Sequence, residues 1–90
     1  MKTWATVIWI SRNRHWVATR QDDGEGSVFE NDESDLVLED KLLGDWTADG
    51  GDEVIFSKEL QRSFHIYIQG RFFSWKGALE SAKRSSGDRD

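Results

Sequence analysis

A small antiparallel β-barrel of five strands is the fold class that the sequence predicts, and three observations support it. Apolar and polar residues alternate, most clearly over residues 63–69, and a period of two is typical of half-buried strands. Glycine and aspartate recur at short spacing between the apolar runs, as tight turns require. Proline is absent from the 90 residues, so closure into a barrel is the simplest way to protect the strand edges.

Three strands are predicted in the first third of the chain. Residues 3–11 are rich in β-branched and aromatic side chains, which favour strands. A polar turn separates them from a second strand at residues 15–21. The Asp23-Gly24 pair is typical of a turn, and a short third strand follows at residues 27–30.

The second half of the chain shows further strand signals. A strand at residues 42–47 is interrupted by Gly44, and glycine in a strand often marks a bulge or bend. The run from Asp49 to Asp52 is the clearest hairpin signal and leads into a strand at residues 53–57. After a connector, residues 63–69 form a half-buried strand that ends at Gly70. One face of this strand carries the apolar side chains Phe64, Ile66 and Ile68. The other face carries His65, Tyr67 and Gln69.

The domain prediction places the barrel in residues 1–70 and an aromatic extension in residues 71–84. Phe72, Phe73 and Trp75 are expected to pack this extension onto the barrel. Residues 77–84 have weak helical character, and the pattern leaves open whether the extension is a strand or one helix. Residues 85–90 contain no apolar side chain, which predicts a disordered tail.

Composition excludes several classes of function. The net charge is −5, and residues 21–59 carry 14 acidic side chains against two lysines, whereas both ends of the chain are basic. Cysteine is absent, so disulfides and cysteine-ligated metals are excluded. No apolar run reaches the roughly 18 residues of a membrane span. We therefore expect a soluble cytoplasmic protein without a cofactor.

Neither a catalytic site nor a metal site is predicted. His15 and His65 are the only histidines, and no set of nucleophile, base and orienting residue can be assembled around them. Two acidic groups could supply oxygen ligands to a metal ion, but neither has the spacing of a calcium loop. They are Asp22, Asp23 and Glu25, and Asp49, Asp52 and Glu53.

A family resemblance covers about residues 3–69. Trp9 on the first strand, Arg14 after the turn and Trp16 on the second strand resemble the opening of a cold-shock domain. Val28-Phe29 is similar to that family's second aromatic strand. The sequence departs from the cold-shock pattern at three positions. Ala18 replaces an aromatic residue, and His15 and Val17 replace glycines. The resemblance implies an OB-like barrel and binding of single-stranded nucleic acid.

Aromatic and arginine side chains are the predicted binding residues. Five tryptophans in so short a chain are difficult to bury together, and exposed rings can stack on bases. Trp9, Trp16 and Phe29 are expected to share one face and to stack on bases. The side chains expected to contact phosphates are Arg12, Arg14 and Arg20. The competing interpretation is that the rings form the core, because aromatic residues dominate small cores.

The acidic middle of the chain supports an alternative function. Fourteen acids within residues 21–59 repel phosphate, and exposed aromatics rimmed by charge are typical of protein interfaces. The alternative is a protein–protein adaptor or inhibitor that presents residues 22–53, or exposed aromatic side chains, to a basic partner. The partner's identity and the oligomeric state stay open.

Overall fold

The structure is a computed structural model, and it describes residues 1–32, 35–47 and 50–87. Within these residues the chain forms six strands followed by one helix. The elements are β1 Thr3–Ile10, β2 Trp16–Gln21, β3 Gly26–Glu30, β4 Lys41–Gly44, β5 Gly51–Ser57, β6 Arg62–Phe72 and α1 Trp75–Ser86.

The six strands close into an antiparallel barrel in the order β1-β2-β3-β6-β5-β4. Two meanders, β1 to β3 and β4 to β6, join at the β3–β6 and β1–β4 pairs. The order β4-β1-β2-β3 is that of a Greek key. The barrel class is confirmed, but the prediction of five strands is wrong, because all six take part in closing the wall.

The strands that contain Gly44 and Gly70 end at positions other than those predicted from the sequence. The strand predicted for residues 42–47 ends at Gly44, where a Cβ atom would lie 2.6 Å from Cγ2 of Ile55. Strand β6 does not end at Gly70 but continues to Phe72, because its pairing with β3 shifts register between Ile68 and Gly70. Such a bulge lets a strand bend without ending. Asp49, in the predicted hairpin turn, lies outside the described residues.

The barrel interior is filled by apolar side chains from all six strands and from two loop positions. These side chains are Ala5, Val7, Val17, Phe29, Leu36, Leu42, Trp46, Ile55, Ile66 and Ile68. The predicted alternation of β6 is confirmed where Ile66 and Ile68 are buried and Tyr67 is exposed. Alternation along each strand therefore separates the core from the outer wall.

Helix α1 packs on the outer wall of the barrel over β2, β3 and β6. Ala78 and Ala82 are fully buried there against Ala18 and Val28. The helix begins after Ser74, whose Oγ accepts a hydrogen bond of 3.2 Å from the N–H of Lys76. Residues 75–86 are thus helical, including the first two residues of the predicted tail.

A β-bulge in β1 packs a tryptophan against the apolar cluster that joins this helix to the wall. The pairing of β1 with β2 shifts register between Val7 and Trp9. As a result Val7 points into the core, whereas Ile8 and Trp9 both join the cluster under α1. One extra residue in the strand therefore decides on which side of the wall Trp9 lies.

Alanine at Gly77 is expected to stabilise the protein. Gly77 lies inside α1, and the nearest atom to an added Cβ is Cδ2 of Phe72 at 3.9 Å. Glycine in a helix interior costs about 1 kcal/mol relative to alanine, so Gly77→Ala should raise the midpoint of thermal unfolding by about 4–8 °C. Gly87→Ala is the matched control and should lower the midpoint, because Gly87 caps the helix at φ 82°. A lower midpoint for Gly77→Ala would contradict this prediction.

Candidate functional site

The structure separates the three aromatic residues that were predicted to share a binding face. Phe29 has no exposed area and lies inside the barrel. Trp16 is half-buried on the outer wall with Trp9, under α1. The register explains the difference, because Phe29 pairs with Val17 and Trp16 pairs with Glu30. The expectation of a common face is wrong, since adjacent residues of a strand point to opposite sides.

The three predicted arginines do not form one patch either. Arg12 and Arg14 lie in the β1–β2 turn, where the Arg14 guanidinium donates to the carbonyl of Leu36. Arg20 lies near the other end of β2, four residues after Trp16 and so about 13 Å from the start of the strand at roughly 3.3 Å per residue. Its guanidinium lies 5.9 Å from the centroid of the Trp75 ring, within the range of a cation–π contact.

A different tryptophan is available to a ligand, and it lies in a groove between β1 and β4. All five tryptophans are described, and Trp4 is the exposed one at 41 %. The groove has a volume of about 350 Å³. We call it the Trp4 groove, and its lining residues are Trp4, Thr6, Asp22, Lys41 and Lys58.

Strand register places two cations in a row across β1, the strand that carries Trp4. Thr6 of β1 pairs with Arg20 of β2 on one side and with Lys41 of β4 on the other. The Cα atoms of Arg20 and Lys41 are therefore about 10 Å apart, because neighbouring strands are separated by roughly 5 Å. The Lys41 ammonium donates to Thr6 Oγ1 at 2.6 Å, and the N–H of Lys58 donates to the Lys41 carbonyl at 3.0 Å.

Sequence reasoning found one member of this row, Arg20, and missed Trp4, Lys41 and Lys58. A signal for Trp4 was present, because Trp4 and Thr6 alternate with the apolar Ala5 within the first strand. A polar residue two positions from an aromatic one indicates the outer face. Nothing in the sequence placed Lys41 beside Thr6, since 35 residues separate them.

A second groove lies on the opposite side of the barrel, because β6 is three strands from β1 in either direction around the closed order. Its volume is about 480 Å³. We call it the Tyr67 groove, and its lining residues are His15, Glu30, Asn31, Asp32, Asp52, Phe64, His65, Ile66 and Tyr67. None of these described residues is a lysine or an arginine, so the groove is acidic.

The titratable groups give no metal site in the described part of the chain. There, no group of three or more histidine, cysteine, aspartate or glutamate side chains is placed to hold a metal ion. Asp49, from one of the two acidic groups weighed, lies outside the described residues. Asp45 accepts hydrogen bonds from the hydroxyl and the N–H of Thr47, at 2.5 and 3.1 Å, and these lower its pKa. No described helix is long and apolar enough to cross a membrane.

Fold and grooves together define a small barrel protein whose Trp4 groove and Tyr67 groove differ in charge. Comparison with protein-family models, curated proteins and solved structures gives no match. The two grooves are therefore the features that bear on function.

Proposed function

We propose that the protein is a small non-enzymatic binding module and that its Trp4 groove binds single-stranded nucleic acid. The observation that carries this proposal is the exposed indole of Trp4 beside Lys41 and Lys58 in one groove. A flat ring offers stacking to a base, and neighbouring ammonium groups offer charge to the phosphates. The resemblance to cold-shock domains implies the same class of ligand and stays a prediction.

The groove supplies both parts of such an interaction within a short distance. Stacking of a base on an aromatic side chain is worth about 1–3 kcal/mol. Lys41 is held in place by its hydrogen bond to Thr6, so its position relative to Trp4 is set before a ligand arrives. Arg20 continues the row on β2, with its guanidinium over the Trp75 ring and outside the residues that line the groove. The arrangement suits a strand that lies across β2, β1 and β4.

Phosphate responds to the local patch rather than to the overall charge of the chain, and this patch holds acids as well as lysines. Glu39 and Glu59 line a cleft that adjoins Lys41 and Lys58, and Asp23 and Glu25 line a cleft that adjoins Trp4. The acids of the Tyr67 groove lie on the far side of the barrel. Among the residues that line the Trp4 groove, Asp22 carries a negative charge. Asp22 is therefore expected to reduce the affinity for phosphate.

A titration with oligonucleotides tests the proposal. Fluorescein-labelled oligothymidylate and oligouridylate of fifteen nucleotides are followed by anisotropy, which does not depend on tryptophan emission. We expect Trp4→Ala to weaken binding about tenfold, and Trp4→Phe less, because phenylalanine keeps a stacking ring. With Lys41 and Lys58 near the phosphates, log K should fall with log salt at a slope of about −1.4.

Charge variants separate the groove from general attraction to the protein. Lys41→Ala should weaken binding, whereas Arg84→Ala removes the same charge from the far end of α1 and should leave it unchanged. Asp22→Asn should strengthen binding. Absence of binding at low salt, or equal losses for Lys41→Ala and Arg84→Ala, would refute the proposal.

A further inference from the structure

We propose that the Tyr67 groove binds an arginine-rich segment of a protein partner. This inference concerns a different face from the Trp4 groove and does not depend on nucleic-acid binding. An acidic cluster alone would not define a ligand. Here the acids surround an exposed aromatic ring in a concave surface, and that combination points to a cation with a flat, extended charge.

Strand register builds a clamp around Tyr67. Tyr67 of β6 pairs with Glu30 of β3 on one side and with Asp52 of β5 on the other. Tyr67 is 47 % exposed, and side chains directly opposite across strands lie roughly 5 Å apart at Cβ. A guanidinium placed over the ring would therefore have a carboxylate within reach on each side. Arginine suits this geometry because its planar group both stacks on rings and pairs with carboxylates.

The Glu30 carboxylate is already oriented before any partner binds. His15 Nε2 lies 2.6 Å from Glu30 Oε1, and the Gln69 side-chain amide donates to Glu30 Oε2. Hydrogen bonds to both oxygens fix the carboxylate, so less side-chain freedom is lost on binding. Glu30 is 27 % exposed at its side chain and stays reachable from the groove.

The remainder of the groove fits the same partner. Asp32 lies at the rim, with Oδ1 3.8 Å from His15 Nδ1. Val54 pairs with His65 beside the clamp and is 43 % exposed, which offers an apolar contact to the stem of an arginine side chain. A volume of about 480 Å³ is within the usual range of ligand pockets. Charge complementarity therefore favours a cationic segment over phosphate, which these carboxylates repel.

The test uses a fluorescein-labelled octapeptide that alternates arginine and glycine, with the full-length protein. Its control is the same peptide with citrulline in place of arginine, which keeps the shape and removes the charge. We expect the arginine peptide to bind at least tenfold more tightly than the citrulline peptide at low salt. Tyr67→Ala should weaken binding about tenfold, and Tyr67→Phe should bind like the unmodified protein, because the ring carries the contact.

Matched charge variants decide whether the Tyr67 groove itself binds the arginine peptide. Asp52→Asn should weaken binding about fivefold, whereas Glu80→Gln removes one carboxylate from the exposed face of α1 and should change it less than twofold. Equal effects of these two variants, or equal affinity for the arginine and citrulline peptides, would overturn the proposal. A salt-sensitive dimer abolished by both Asp52→Asn and Lys41→Ala would assign the groove to a second copy and would also overturn it.

The result of the peptide test at the Tyr67 groove can be distinguished from the result of the oligonucleotide test at the Trp4 groove. Trp4→Ala and Lys41→Ala should leave peptide affinity unchanged, and Tyr67→Ala should leave oligonucleotide affinity unchanged. A loss of peptide affinity in Trp4→Ala, or a loss of oligonucleotide affinity in Tyr67→Ala, would contradict two independent surfaces.

Discussion

Alanine at Phe29 is expected to destabilise the protein by about 3–5 kcal/mol. Phe29 has no exposed area, and its ring centroid lies 6.1 Å from that of Trp46 in the core. The loss combines lost burial with the cavity that remains, and small domains have only about 5–15 kcal/mol in total. Urea unfolding, followed by circular dichroism at 222 nm, measures this loss of unfolding free energy. We expect Phe29→Ala to unfold at a lower urea concentration than the unmodified protein.

The same variant distinguishes a core residue from a stacking residue. If Phe29 contacted bases directly, Phe29→Ala would leave the unfolding midpoint unchanged and reduce oligonucleotide affinity instead. Phe73 provides the comparison because it is 94 % exposed, so Phe73→Ala should change the free energy of unfolding by less than about 0.5 kcal/mol. Equal effects of the two variants would contradict the interior position of Phe29.

Alanine at Gly26 is expected to displace helix α1 from the barrel. A Cβ at Gly26 would lie 2.7 Å from the Thr19 carbonyl oxygen, 2.7 Å from Trp75 Cα and 2.8 Å from Ala78 Cβ. Two of these atoms are backbone, so the clash cannot be relieved by rotating a side chain. Overpacking of this kind costs about 1–3 kcal/mol, and more where the backbone must move. We expect Gly26→Ala to have a lower midpoint of thermal unfolding than the unmodified protein.

Tryptophan emission reports whether the helix itself has moved. Trp9 and Trp16 are half-buried beneath α1, so Gly26→Ala should shift the emission maximum to longer wavelength. Gly50→Ala is the control, because the nearest atom to its Cβ is the Ile68 carbonyl oxygen at 3.5 Å. An unchanged spectrum and midpoint for Gly26→Ala would show that the helix does not press against β3.

The two grooves suggest how the predicted alternatives relate to each other. Nucleic-acid binding and contact with a basic protein are competing predictions from the sequence, because the chain carries basic ends and an acidic middle. The closed strand order places the Trp4 groove and the Tyr67 groove on opposite sides of one barrel. The measurements proposed for Trp4 and Tyr67 therefore test two surfaces separately.

Local pattern was sufficient for much of the fold. Alternation within β6 showed which side chains face the core, because a strand has a period of two whatever it pairs with. Turn chemistry at Asp23-Gly24 marked the end of β2, where Gly24 has φ 90°. The small antiparallel barrel followed from these local signals, as did the weak helical character of residues 77–84.

The positions of the candidate sites depended on contacts between distant residues. The bulge in β1 moved Trp9 beneath α1, and the β2–β3 register placed Phe29 inside the barrel. The clamp at Tyr67 joins residues from β3, β5 and β6, which approach one another only when the barrel closes. Sequence alone determined which faces of each strand are apolar, since that property is local. Tertiary structure alone decided which outer faces become neighbours, because register and closure depend on the packing of the whole chain.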